Sequence, residues 1–197
     1  MKLTRNWVIG LAAMLACVNL AVSQERPKRP AAPKLPAGVK VLRDLQYVDG
    51  GHERNRLDLY LPEKAEGQLP LVVWIHGGAW AMGSNDGCPA VPLTAKGYAV
   101  ASINYHLSQH AVFPAQIEDC KAAIRWLRAN AAKYHLDADH IGVWGASAGG
   151  HLVAMLGTTG NVKELEGKGG NPPIVLPSKP ALRTSTRPLE CCSRLTA

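Results

Sequence analysis

A serine framed by small residues, Gly145-Ala146-Ser147-Ala148-Gly149, sits where few folds can put one. Ahead of it runs Ile141-Gly142-Val143-Trp144, a short apolar run of the kind a strand covered on both faces shows. Behind it, from Ser147 to about Leu156, the chain reads as an apolar helix. A chain that passes from buried strand to helix within so few residues must turn sharply. The serine is then driven into a sparsely populated backbone conformation, and glycines are needed beside it because bulk would meet the adjoining strand and helix. The turn lifts the Ser147 hydroxyl above the sheet. The first N–H of the helix, at Ala148, has no partner inside the helix and can receive negative charge.

The rest of the pattern places this turn in a sheet. Val39 to Val48 and Arg56 to Leu61 alternate as half-exposed strands, and Asp49-Gly50-Gly51 helps link them as an antiparallel pair. Leu71-Val72-Val73-Trp74-Ile75 reads as a second buried strand, and Ala90 to Lys96 as a short helix closed by Gly97. Tyr98 to Asn104 forms a further strand, and a helix runs from Pro114 to about Tyr134 on Ile117, Ala123, Ile124, Leu127 and Ala131. Alternating strands and helices predict an α/β fold, a mostly parallel sheet with crossover helices. In such sheets ligands sit at the carboxyl ends of the strands, which directs attention to the residues after Ile75 and Trp144.

After Ile75 comes His76-Gly77-Gly78-Ala79-Trp80. The glycines allow the backbone to approach a substrate with its N–H groups turned inward. Gly78 and Ala79, with Ala148 from the serine turn, are the expected donors to a carbonyl oxygen that gains negative charge, while His76 is expected to fix the loop. His76, Gly77, Gly145 and Gly149 support the two motifs.

These residues resemble the α/β-hydrolases, specifically the hormone-sensitive-lipase-like carboxylesterase branch that includes feruloyl and acetyl-xylan esterase-like proteins. The resemblance spans about Leu42 to Gly170. It rests on Arg56-Leu57-Asp58-Leu59-Tyr60-Leu61-Pro62, the loop at 76–80, Asn104-Tyr105-His106-Leu107-Ser108, Phe113-Pro114-Ala115 with Asp119, and the serine turn running into Gly150-His151-Leu152. It implies Ser147 as nucleophile, hydrolysis of a small-molecule or polysaccharide-linked ester, and no metal or organic cofactor. It also implies that Asp119 is structural. His106 stands where the family usually has arginine.

An acid and then a histidine should follow such a serine. The last aspartate is Asp139 and the last histidine His151, four residues past Ser147 and expected to point into the helix packing. Glu164, Glu166 and Glu190 fall in a polar loop or the tail. The expectation is a secreted serine ester hydrolase by resemblance, catalytically incomplete in this chain. Two alternatives stay open: a fragment that binds without turnover, and a serine peptidase of the same fold.

Charge and composition define the organisation. Net charge is +7, yet the ends, residues 1–40 and 171–197, together carry +9 and residues 41–170 carry −2, which excludes a basic nucleic-acid face on the folded part. Residues 1–23 read as a signal peptide, with Lys2 and Arg5 before an apolar run and Ala21-Val22-Ser23 as cleavage site; the run is too short for a stable membrane span. Export to the periplasm or beyond follows. Residues 24–38 read as a Pro/basic linker, 39–170 as a partial α/β-hydrolase domain, its amino-terminal part only, and 171–197 as a disordered tail outside the family pattern. The abrupt loss of pattern points to a truncated chain, for which a frameshift is one origin. It would leave Ile141–Trp144 at an uncovered sheet edge and make the protein poorly soluble. Cys120 reads as a small buried hydrophobe, and no disulfide is expected. The oligomeric state is left open.

Overall fold

The computed structural model describes residues 35–160, 162–172 and the backbone of 182–185. The expected signal peptide, residues 24–34 of the expected linker, and the remaining tail lie outside the described residues. The strands are β1 Val39–Gln46, β2 Arg56–Pro62, β3 Leu69–Ile75, β4 Ala99–Ile103, β5 Leu136–Gly145 and β6 Leu182–Ser185. The helices are α1 Ala115–Ala129, α2 Ala131–Tyr134 and α3 Ala148–Thr158, with 3-10 turns at Val91–Lys96 and Lys163–Leu165.

They build one six-stranded sheet in the order β1-β2-β4-β3-β5-β6. Strands β4, β3, β5 and β6 are parallel, and the β1–β2 pair is added antiparallel at one edge. This is the α/β architecture the strand and helix alternation predicts. β3 and β4 are central, which accounts for their apolar runs: Leu71, Val73 and Ile75 face a core with Ile117, Leu127, Leu152 and Val153, while Trp74 and Val100 face a second cluster with Cys88, Ala90 and Val91. Trp74 and Trp144 meet edge to face on that second side, ring centroids 5.1 Å apart. Cys120 is wholly buried, and burial pushes its thiol well up. Among the described residues no helix is long and apolar enough to cross a membrane.

Three expectations need correction. The helix through Tyr134 is two helices, because Asn130 leaves helical geometry and turns its side chain back onto the Trp126 carbonyl, 2.9 Å. β5 starts at Leu136 rather than Ile141; the ladder skips 138–140 between Asp137 and Ile141, where Asp137 accepts the N–H groups of Asp139 and His140 in a side-chain turn. That polar interruption hid the strand's first half. Finally, Leu182–Ser185, placed in the disordered tail, pairs parallel with β5 from Ile141↔Leu182 to Trp144↔Ser185. The outer rim of β5 is a row of unpaired donors and acceptors, and four residues of tail take them up. Ile141–Trp144 is therefore not the sheet edge.

Candidate active site

The register brings the two motifs together. Ile75 pairs with Gly145 and with Ile103, and Ile103 with Leu57, so the residues after β3, β4 and β5 and those before β2 all emerge at one rim of the sheet. The chain turns there from Gly145 through Ser147 into α3. Ser147 has φ 52° and ψ −119°, a conformation side chains rarely adopt, and the residue is exposed. Gly149 donates its N–H to the Ala146 carbonyl, 2.9 Å, and His151 to the Ser147 carbonyl, 3.1 Å, which close the turn. Glycine is required on both sides. A side chain at Gly145 would lie 2.6 Å from the Gly149 backbone, and one at Gly149 would drive into the carbonyls of Ile75 and His76.

The loop after β3 lies directly against this turn. A side-chain carbon at Gly77 would stand 2.7 Å from the Ala146 carbonyl and 3.3 Å from the Ser147 side chain. Gly78, Ala79 and Trp80 all have positive φ, 111°, 52° and 58°. A trans peptide carries its C=O and N–H on opposite sides, so holding one aims the other. The Gly78 carbonyl accepts the N–H groups of Ala81 and Met82, both at 3.0 Å, which fixes the direction of the Ala79 N–H. Among the described residues neither Gly78 nor Ala79 donates its N–H to another protein group. Ala148 opens α3, where its N–H has no partner one turn back. The expected donors Gly78, Ala79 and Ala148 thus belong to two loops in contact, flanking an exposed serine.

His76, expected to fix the loop, makes its contacts within the loops after β3 and β4. It is buried, stacks on Tyr105 with centroids 4.4 Å apart, and sets Nδ1 2.7 Å from the Gly77 carbonyl; burial is the main reason its pKa lies below the ordinary value. Tyr105 returns its hydroxyl to the His76 carbonyl, 2.9 Å. Asp119 accepts the His106 N–H at 2.7 Å, the His106 imidazole at 2.6 Å and the Asn55 amide at 2.8 Å. It anchors the loop after β4, and His106 occupies its place by pairing with it. That loop in turn reaches the strained one: Ser108 donates to the Trp80 carbonyl, 2.8 Å, and Gln109 to the Ala81 carbonyl, 3.1 Å.

His151 does not point into helix packing. It is exposed and meets Trp80 edge-on, centroids 5.4 Å apart, because the helix face one turn beyond Ser147 looks toward the loop and not the core. Glu166 is engaged elsewhere, its two oxygens on Lys121 and Arg125 at 2.6 and 3.2 Å. Glu164 and Asp139 are exposed, Asp139 in the amino-terminal half of β5, away from the rim. Cys88, whose thiol burial pushes up to about 11, and Cys120 are free.

Arg54 and Asn85, which no sequence motif marks, support the loop together with Asn104 of the Asn104–Ser108 motif. Asn104 donates to Asn85 Oδ1 at 2.6 Å and accepts the Asn85 N–H at 2.8 Å, joining the end of β4 to the segment after the glycine loop. Nothing local marks Arg54; its position follows from β2 running antiparallel to β4, which starts β2 at the rim where the parallel strands end.

A mostly parallel sheet with a strained serine turn after one strand and a glycine loop after its neighbour defines an α/β-hydrolase, of the carboxylesterase branch. The chain belongs to the BD-FAE family, whose model matches residues 57–173. Esterase LipQ of Mycobacterium tuberculosis (strain ATCC 25618 / H37Rv) is 39% identical over 130 residues, 62% of this chain and 30% of LipQ. Esterase LipC of the same strain is 36% identical over 167 residues, 78% of this chain and 40% of LipC. Among solved structures, a truncated form of a carbohydrate esterase from gut microbiota has a TM-score of 0.66 at 37% identity, covering 71% of this chain and 54% of that one. The chain spans well under half the length of these two curated relatives.

Proposed function

We infer that this chain is an exported carboxylic-ester hydrolase whose nucleophile is Ser147 and whose oxyanion donors are the N–H groups of Gly78, Ala79 and Ala148. The observation that supports the reading is the close approach of Gly77 to Ala146 and Ser147, which brings the loop after β3 against an exposed serine. In the reaction, Ser147 Oγ bonds to the ester carbonyl carbon and the π electrons move to the carbonyl oxygen, where the N–H groups receive them. Collapse breaks the ester C–O bond, the alcohol leaves with a proton, and water hydrolyses the acyl-serine to acid and free serine. The esterase relatives support ester chemistry, and the likeness to a carbohydrate esterase supports esters carried on sugars.

The serine proton needs an acceptor. No histidine follows His151 in this sequence, and Glu166 is held by two cations. With solvent as acceptor, oxyanion stabilisation and binding by the two loops supply roughly 10³–10⁴ over the uncatalysed rate. The engagement of Glu166 by Lys121 and Arg125 favours a second reading, a site that binds esters without turning them over. Hydrolysis of p-nitrophenyl acetate by the chain and by its Ser147→Ala variant separates the two. The expected result is a rate above background that falls on substitution; equal rates would reject Ser147 as nucleophile and leave binding without turnover.

A further inference from the structure

We propose that Arg54 is a positioning residue for the oxyanion loop, acting through the tautomer of His76. The proposal rests on the functional reading above.

Arg54 precedes β2 and arrives at the rim of the sheet, where it contacts the loops after β3 and β4. Its Nε donates to the Tyr105 carbonyl at 2.7 Å; its Nη2 donates to the Gly83 carbonyl at 2.9 Å and to Asn104 Oδ1 at 3.1 Å, and lies 3.3 Å from His76 Nε2. Nη2 gives its two hydrogens to the Gly83 carbonyl and Asn104 Oδ1, and a proton on His76 Nε2 would stand against a cationic nitrogen 3.3 Å away, so charge repulsion, not a hydrogen bond, turns the Nε2 lone pair toward Arg54. The proton of the neutral imidazole then belongs on Nδ1, and Nδ1 stands 2.7 Å from the Gly77 carbonyl, which has only lone pairs to offer.

The consequence runs through one peptide. The carbonyl of Gly77 and the N–H of Gly78 share a rigid plane and point in opposite directions. Holding the carbonyl on the imidazole turns the Gly78 N–H away from His76. Gly83 is packed into the same contact: a side-chain carbon there would lie 2.5 Å from Nδ1 and 2.6 Å from the Gly77 carbonyl. Were the imidazole proton on Nε2, it would face the cation, and the Gly77 carbonyl would lose its donor.

Long-range ¹H–¹⁵N spectra of the imidazoles, with His76 assigned by a His76→Gln variant, read the tautomer directly. The unsubstituted chain is expected to show His76 as Nδ1–H, and Arg54→Met to move it toward Nε2–H or the protonated form. Arg54→Lys, which retains a cationic donor, is expected to restore Nδ1–H. In p-nitrophenyl acetate hydrolysis, Arg54→Met is expected to lower kcat about tenfold with little change in KM, since a misdirected donor weakens the transition state more than the ground state. An Nε2–H His76 in the unsubstituted chain would overturn the proposal without any variant having to fold. An unchanged tautomer in Arg54→Met, or an altered tautomer with unchanged kcat, would overturn it as well. A rate indifferent to Ser147→Ala sinks the catalytic reading instead, and the spectra still decide what Arg54 does.

Discussion

Ser147, Ala79 and Trp80 hold φ values of 52°, 52° and 58°, each a cost of roughly 1–3 kcal/mol that the surroundings must offset. The offsetting contacts converge on backbone carbonyls: those of Ala146 and Ser147 in the serine turn, Gly78 and Trp80 in the loop. Buried His76 belongs to this set and titrates accordingly. Desolvation, opposed by its bond to Gly77 and reinforced by Arg54, lowers its pKa from 6.5. The unfolded chain therefore binds a proton on His76 more readily than the folded one, so its contribution to stability is present above pH 6.5 and is lost as pH falls toward the folded pKa. His52 shifts the same way, through its own desolvation and then the neighbouring His106 and His110. The urea midpoint is expected to drop between about pH 7.5 and about pH 5.5, and less so in a His76→Gln variant; a midpoint that rises on acidification would contradict this assignment.

Helix α1 shows how an element with charged residues becomes internal. Lys121 and Arg125, both buried, bind the carbonyls of Thr159, Glu166, Gly169 and Asn171 as well as the Glu166 carboxylate, at 2.6 to 3.2 Å. The segment that follows α3 is thereby tied back onto α1. Charge, ordinarily the mark of a solvated face, here satisfies the backbone of an irregular segment lacking strand or helix partners. Glu166→Ala leaves two buried cations without their carboxylate, and the expected loss of stability is about 3 kcal/mol, read from denaturant unfolding. A change below about 0.5 kcal/mol would mean the pair is solvated like a surface bridge.

Across the whole molecule the sheet is the frame that makes the site, and its outer strands behave differently. β2 is set antiparallel against β4 and β1 antiparallel against β2, while β6 is four residues paired to β5. Successive residues of an edge strand turn their N–H alternately toward and away from the neighbouring strand, so replacing both Arg183 and Thr184 with proline removes a ladder donor from β6. The expected result is faster hydrogen exchange of β5 amides at 141–144 and greater self-association, measured by exchange mass spectrometry and light scattering; unchanged exchange would show that β6 does not protect β5. Local signals sufficed for the strands β1 to β4, for α3, and for the two motifs, because period-two and continuous apolar patterns, glycine spacing and a serine between glycines act over a few neighbouring residues. The sequence alone also determined that the middle of the chain carries no net basic charge. The split at Asn130, the bulge after Asp137, the pairing of Leu182–Ser185, the exposure of His151 and the reach of Arg54 were decided only by tertiary structure. Each depends on which group lies opposite across the sheet or around a helix turn, and that partner comes from tens of residues away or from a side chain that competes with the backbone for its hydrogen bonds.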